Sequence, residues 1–151
     1  MASYWIRHSE MIRELVVLDS SAIIHSQRRK IDIASWMDRE LEAPFQLCTT
    51  RAVIRELETL SLAGSADLRL RAQLALRFLS GLPVIETTQQ AADDSIVEIA
   101  IGSEWTTVFT DDALLKRRLL SMGVRVATIT RNNRIVVARP RAHIALSGKL
   151  P

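Results

Sequence analysis

The stretch Leu15–Ser26, LVVLDSSAIIHS, limits what this chain can fold into more than any other. Four apolar residues and then an aspartate describe a buried strand with a carboxylate at its C-terminal end. In open α/β sheets that end faces the ligand crevice. Ser20 and Ser21 follow, small hydroxyl residues that can start a helix. A carboxylate so close to a core is costly unless something cationic neutralises it. What pairs with Asp19 is therefore the question the rest of the chain must answer.

After this strand, apolar runs and amphipathic stretches alternate. Residues 15–19 are the first strand, and SAIIHS begins a helix before the basic cluster Arg28-Arg29-Lys30. Asp32 caps a helix over 33–42, with Ile33, Trp36, Met37 and Leu41 inward at helical spacing, and Pro44 ends it. Phe45–Cys48 is a short strand. Thr49 or Thr50 caps the next helix, which runs through Leu62 to the break at Gly64. Residues 66–79 form a further helix with Gly81 as its C-cap, and 82–85 a strand. Asp93 or Asp94 opens a helix to about Ile101. Thr106–Phe109 is a strand, 113–122 a helix closed by Gly123, and 124–129 a strand. Asn132-Asn133 is a tight turn into a last strand, 135–138. Such alternation predicts a three-layer α/β/α sandwich around a mainly parallel sheet. Right-handed crossovers then bring the C-terminal ends of the parallel strands to one edge. The expected organisation is an N-terminal extension (1–14), one domain (15–138) and a mobile C-terminal tail (139–151). In the extension, Tyr4, Trp5, Met11 and Ile12 with Leu15 can form an apolar helical stripe for packing or dimerisation.

Composition narrows the function classes. A chain of 151 residues, 48% of them apolar, can build one substantial core. No run approaches the roughly 18 apolar residues of a membrane span, and the charged N-terminus has no signal-peptide core. No membrane association is expected, and the cytoplasm is the expected compartment. A single cysteine, Cys48, argues against disulfide frameworks and clustered zinc sites; it reads as a core residue. The net charge is +3, and all but Lys30, Lys116 and Lys149 of the 20 basic residues are Arg. Arg forks match phosphate oxygens, so nucleic acid is a candidate partner.

Acids collect at the predicted edge. Asp19 ends the first strand, and Glu56 lies in the helix after the second. Asp93 and Asp94 start a later helix, and Asp111 and Asp112 follow the fourth strand. Taken singly, each has a structural use: strand-end cap, surface helix residue or helix N-cap. Taken together, converging carboxylates cannot all stay ionised without a cation. Oxygen ligands with no His or Cys among them select Mg²⁺ or Mn²⁺. Such an ion activates water and stabilises charge on a phosphodiester.

The segments VVLDSSAII, TTRAVIRELETL, ADDSIVEIAI and VFTDDALLKRRLLSMGVRV resemble the PIN-domain nucleases, over about Leu15 to Ala138. In that family a strand ends in Asp followed by Thr or Ser, as at Asp19-Ser20. A Glu sits in the helix after strand two, as does Glu56. An Asp opens the helix before strand four, and a Thr-x-Asp follows that strand, matched by Thr110-Asp111-Asp112. Asp94 stands 18 residues before Asp112, close to the family's separation. The resemblance thus implies a metal-dependent endoribonuclease with Asp19, Glu56, Asp94 and Asp112 as catalytic metal ligands. Asp93 and Asp111 could join the shell, and Ser20 and Thr110 would orient carboxylates or substrate. Ser-Ser after Asp19 departs from the more frequent Thr-Asn or Thr-Ser. The DDSIVEIA and LLKRR stretches look more like the PIN proteins of ribosomal RNA processing and their archaeal relatives, while the size also fits a VapC-like toxin. The implied partners are RNA and either an antitoxin protein or a ribosomal precursor, with a homodimer left open. A non-catalytic PIN module that binds RNA or protein in a larger assembly is the alternative.

Other motifs point elsewhere only weakly. A haloacid-dehalogenase-type phosphatase needs an Asp where Ser21 stands. The five Gly are isolated, so there is no phosphate-binding loop. His8, His25 and His143 have no ligand spacing; His25 either lines the site mouth or is structural. Lys116, Arg117 and Arg118 are candidates for RNA-backbone contact, or else form a solvated helix face.

Overall fold

The computed structural model describes residues 14–140. The elements, in chain order, are β1 (Glu14–Leu18), α1 (Ser20–Arg29), α2 (Ile33–Glu40), β2 (Phe45–Thr50), α3 (Arg51–Ala63), α4 (Ala66–Leu79) and β3 (Val84–Ile85). They continue with α5 (Ala92–Ile101), β4 (Thr106–Phe109), α6 (Ala113–Ser121), β5 (Arg125–Ile129) and β6 (Ile135–Ala138). The predicted stripe at Tyr4, Trp5, Met11 and Ile12 lies outside the described residues, as does the tail beyond Pro140.

One six-stranded sheet has the order β3-β2-β1-β4-β5-β6. All pairings are parallel except β5 with β6. Val16 is flanked by Leu47 on one side and Thr107 on the other. The chain therefore winds outward from β1 in one direction and then, from β4, in the other. The reversal falls between β1 and β4, and in sheets of this kind the crevice at such a reversal binds ligand. Right-handed crossovers place the helices leading to β2 and β3 on one face and α5 and α6 on the other.

The strands are apolar because both faces are covered. Val16, Val17, Val108, Phe109, Val126 and Ala127 are all fully buried. Each large side chain so buried contributes about 2 kcal/mol of transfer free energy. Met37, Val53 and Leu57 point into the same core, as their helical spacing predicted.

Several boundaries differ from the expectation. Glu14, expected in the extension, is the first residue of β1 and pairs with β2 opposite Phe45. β2 runs on to Thr50, and of the two expected cap candidates Thr50 is the one that caps α3, accepting from the Val53 amide. β3 shrinks to two residues. α2 stops at Glu40, two residues early, because Leu41 is already extended. Gly81 is not the C-cap of α4; Ser80 holds that position in helical conformation. Neither Asp93 nor Asp94 caps α5. Both sit within its first turn, where negative charge favours the helix dipole, behind the N-cap Ala91. The β5–β6 turn is longer than a two-residue hairpin. The Thr130 amide donates to the Arg134 carbonyl, and Asn133 takes the left-handed conformation at φ 59°.

Candidate functional site

Asp19 sits at the N-cap of α1, one residue beyond β1, rather than within the strand as expected. Its amide donates to the Phe109 carbonyl of β4 at 3.0 Å, so the residue straddles the sheet's reversal point. The side chain is 7% exposed. Its Oδ1 accepts from the Ser20 amide (2.9 Å). Its Oδ2 accepts from the hydroxyls of Thr110 (2.6 Å) and Ser21 (3.0 Å). Burial pushes its carboxyl above the usual range; the Thr110 and Ser21 hydrogen bonds oppose that shift, and the negative charge of Glu56 adds to it. Among the described residues, the groups acting on its charge include no cation.

Glu56 lies on α3, where the helix passes the end of β1. Its Oε1 accepts from the Ser20 hydroxyl at 2.6 Å. One residue, Ser20, thus holds Asp19 with its backbone and Glu56 with its side chain. Thr110 likewise serves two partners: its hydroxyl donates to Asp19 and accepts from the Asp112 amide at 3.1 Å. Asp112 caps α6, its Oδ1 accepting from the amides of Leu114 and Leu115. The N-cap use of Asp112 weighed from the sequence is therefore real. Asp94 pairs with Arg118 of α6, Oδ1 to Nη1, at 2.8 Å. Asp93 accepts from the Asp94 amide.

The sequence-predicted residues are therefore brought together in part. Asp19, Ser20, Glu56 and Thr110 form one connected cluster, and Asp112 is tied to it through Thr110. Asp94 is held by a guanidinium, so Arg118 is engaged with an acid of the chain and not presented singly to a ligand. Lys116 is half-buried and Arg117 exposed on the same helix. Among the described residues, no three acidic, histidine or cysteine side chains stand close enough to form a ready-made metal cage.

Two participants were missed or left undecided. Ser21 donates to Asp19 and accepts from the Asp111 amide at 3.1 Å. His25 is partly exposed and paired, its Nδ1 2.5 Å from Asp111 Oδ2. Ser21 and His25 are four residues apart on α1 and so share one helical face. That spacing was the available signal; their partner, 86 positions away from His25, was not visible in it.

Asp19 and Glu56 thus meet at the β1–β4 reversal, braced by hydroxyls from the D-S-S and T-D-D segments. Residues 16–132 match the family described as a PIN like domain. The chain belongs to this PIN-like family. It is 27% identical over 118 residues to "Ribonuclease VapC4" of Methanocaldococcus jannaschii, covering 76% of this chain and 88% of that protein. It is also similar to the solved structure of the PIN domain endonuclease Utp24. That match has a TM-score of 0.71 at 27% identity and covers 85% of this chain and 94% of the other. The fold of this PIN domain is thus the α/β sandwich expected, and no described helix is long and apolar enough to cross a membrane.

Proposed function

We propose that this PIN domain is a metal-dependent endoribonuclease that hydrolyses RNA phosphodiester bonds, its site built on Asp19, Glu56, Asp94 and Asp112. The observation that carries the reading is Asp19: a buried carboxylate at the reversal point, hydrogen-bonded on both oxygens, beside Glu56 and, among the described residues, without a cationic partner. That donor set, carboxylate oxygens with no thiolate, suits a hard divalent ion such as Mg²⁺ or Mn²⁺. When bound, such an ion supplies Lewis-acid stabilisation of phosphate charge and lowers the pKa of water. The chain's own part is orientation. Ser20, Ser21 and Thr110 fix the Asp19 carboxylate, and Ser20 fixes Glu56. The similarity to a ribonuclease and to an endonuclease supports the reaction class. We take residues 15–138 as the working unit, joined at its start by Glu14.

The test is cleavage of an RNA oligonucleotide with Mn²⁺. Asp19→Asn and Asp112→Asn should each lose on the order of 100-fold in rate. Asn at 112 keeps an oxygen for the α6 cap, so loss of fold would not explain the result. Unchanged cleavage by either variant would sink the assignment of that residue.

The non-catalytic alternative has one observation in its favour: Arg118 neutralises Asp94 internally. Calorimetry with Mn²⁺ separates the two. Saturable binding lost in Asp19→Asn supports the nuclease, and no binding supports the module. Whether the RNA is a toxin target or a ribosomal precursor is tested by the genomic neighbourhood. An adjacent antitoxin gene favours the first, and ribosome-maturation genes the second.

A further inference from the structure

The same sheet edge that carries the acids carries, on its β6 flank, an exposed basic surface of separate origin. Arg131 and Arg134 lie in the β5–β6 turn, and Arg29 and Lys30 end α1; all four are exposed. The Arg29 guanidinium donates to the side-chain carbonyl of Asn133 in that turn, a neutral partner that leaves its charge uncompensated. Trp36 of α2 meets the β5–β6 turn at Arg134. Arg39 stands 4.2 Å and Arg134 5.6 Å from its ring centroid. None of these five cations enters a described ion pair. Of the acids on neighbouring elements, Asp32 caps α2, Asp67 pairs with Arg28 and Asp111 with His25, while Asp38 and Glu40 flank Arg39 on α2 itself.

Position connects this surface to the site. β1, β4 and β5 are adjacent and parallel, so their C-terminal ends share an edge. Strand spacing of about 4.8 Å puts the end of β5 about 10 Å from that of β1. This is roughly three nucleotides of a stacked strand.

We propose that Arg29, Lys30, Arg131, Arg134 and Arg39, together with Trp36, bind the RNA strand that flanks the scissile phosphate. Guanidinium forks hold phosphate oxygens bidentately. An indole bracketed by Arg offers the stacking and cation–π surface that single-stranded nucleic acid uses. The inference rests on the endoribonuclease reading for its choice of RNA over an acidic protein.

The experiment measures binding without cleavage: fluorescence anisotropy of a labelled single-stranded RNA oligonucleotide, full chain, EDTA, across a salt series. The combined R29Q, R131Q, R134Q variant should bind roughly 10- to 100-fold more weakly, with the log–log salt slope reduced by about 2. Arg77→Gln, an exposed charge at the end of α4, should bind as wild type does. Trp36→Ala should lose roughly 10-fold and Trp36→Phe much less, because the ring is kept. Wild-type affinity and slope in the triple variant would overturn the proposal and leave the surface to an acidic protein. Failure of the wild-type chain to bind the RNA would overturn it as well. If Asp19→Asn binds RNA normally and the triple variant does not, the surface stands whatever the fate of the cleavage assay.

Discussion

Ser20 uses its amide on Asp19 and its hydroxyl on Glu56, so the two acids are set relative to each other by a single residue at the first turn of α1. A hydrogen bond to a charged group is worth about 1.5 kcal/mol or more. Ser20→Ala keeps the amide and frees Glu56. Steady-state kinetics on an RNA oligonucleotide should then show kcat/KM down roughly 10-fold; an unchanged value would mean that Glu56 needs no orienting. Asp19 carries a second consequence at this scale. Its carboxyl titrates above the usual 3.8 because burial disfavours the charge. Between the unfolded and the folded pKa the native state binds more protons, so stability falls as pH rises through the folded value. Above it the ionised Asp19 burdens the metal-free fold. Asp19→Asn should therefore raise the melting temperature in EDTA at neutral pH, and the gain should shrink toward pH 3.8. A gain that grows on acidification would contradict the burial argument.

At the scale of elements, Thr50 joins three of them. It ends β2, caps α3 through the Val53 amide, and shares a 2.7 Å hydrogen bond with Ser95 of α5. It is fully buried. Thr50→Ala removes the cap and that link, and chemical denaturation should show a loss of about 2 kcal/mol. The helices were legible because their apolar positions repeat at helical spacing and their caps are Ser, Thr or Asp. The errors cluster where local chemistry is ambiguous. The cap of α3 was open between Thr49 and Thr50, chemically equivalent as caps, and the structure takes Thr50. β3 is short because only Thr49 and Thr50 of β2 pair with it. Gly81 read as a C-cap, but the chain leaves α4 without a left-handed residue there. α5 begins behind an alanine, so its two aspartates serve its dipole instead of its cap.

For the whole molecule, the alternating pattern made the parallel sheet and its acid-bearing edge readable. The detailed pairing of the acids was not, because it depends on side chains from helices far apart in sequence. Arg118 read as a basic residue on a helix face, and only the packing of α6 beside α5 turns it toward Asp94. Glu14 is the opposite case: a charge that sequence placed outside the domain is 3% exposed within it. Its carboxylate accepts from the Thr107 hydroxyl and pairs with Arg125.

Cys48 gives the fold a built-in gauge. It is the chain's single thiol, fully buried in β2 between β1 and β3, with burial pushing its pKa up to about 12. A thiol-directed alkylating reagent near neutral pH should leave it untouched until the sheet itself opens. Its labelling rate then counts global openings, and any ligand that binds only the native state must slow that count in proportion to its occupancy. Mn²⁺ and RNA can thus be titrated on the unmodified chain, with no tag and no turnover, by asking how long one sulfur stays hidden.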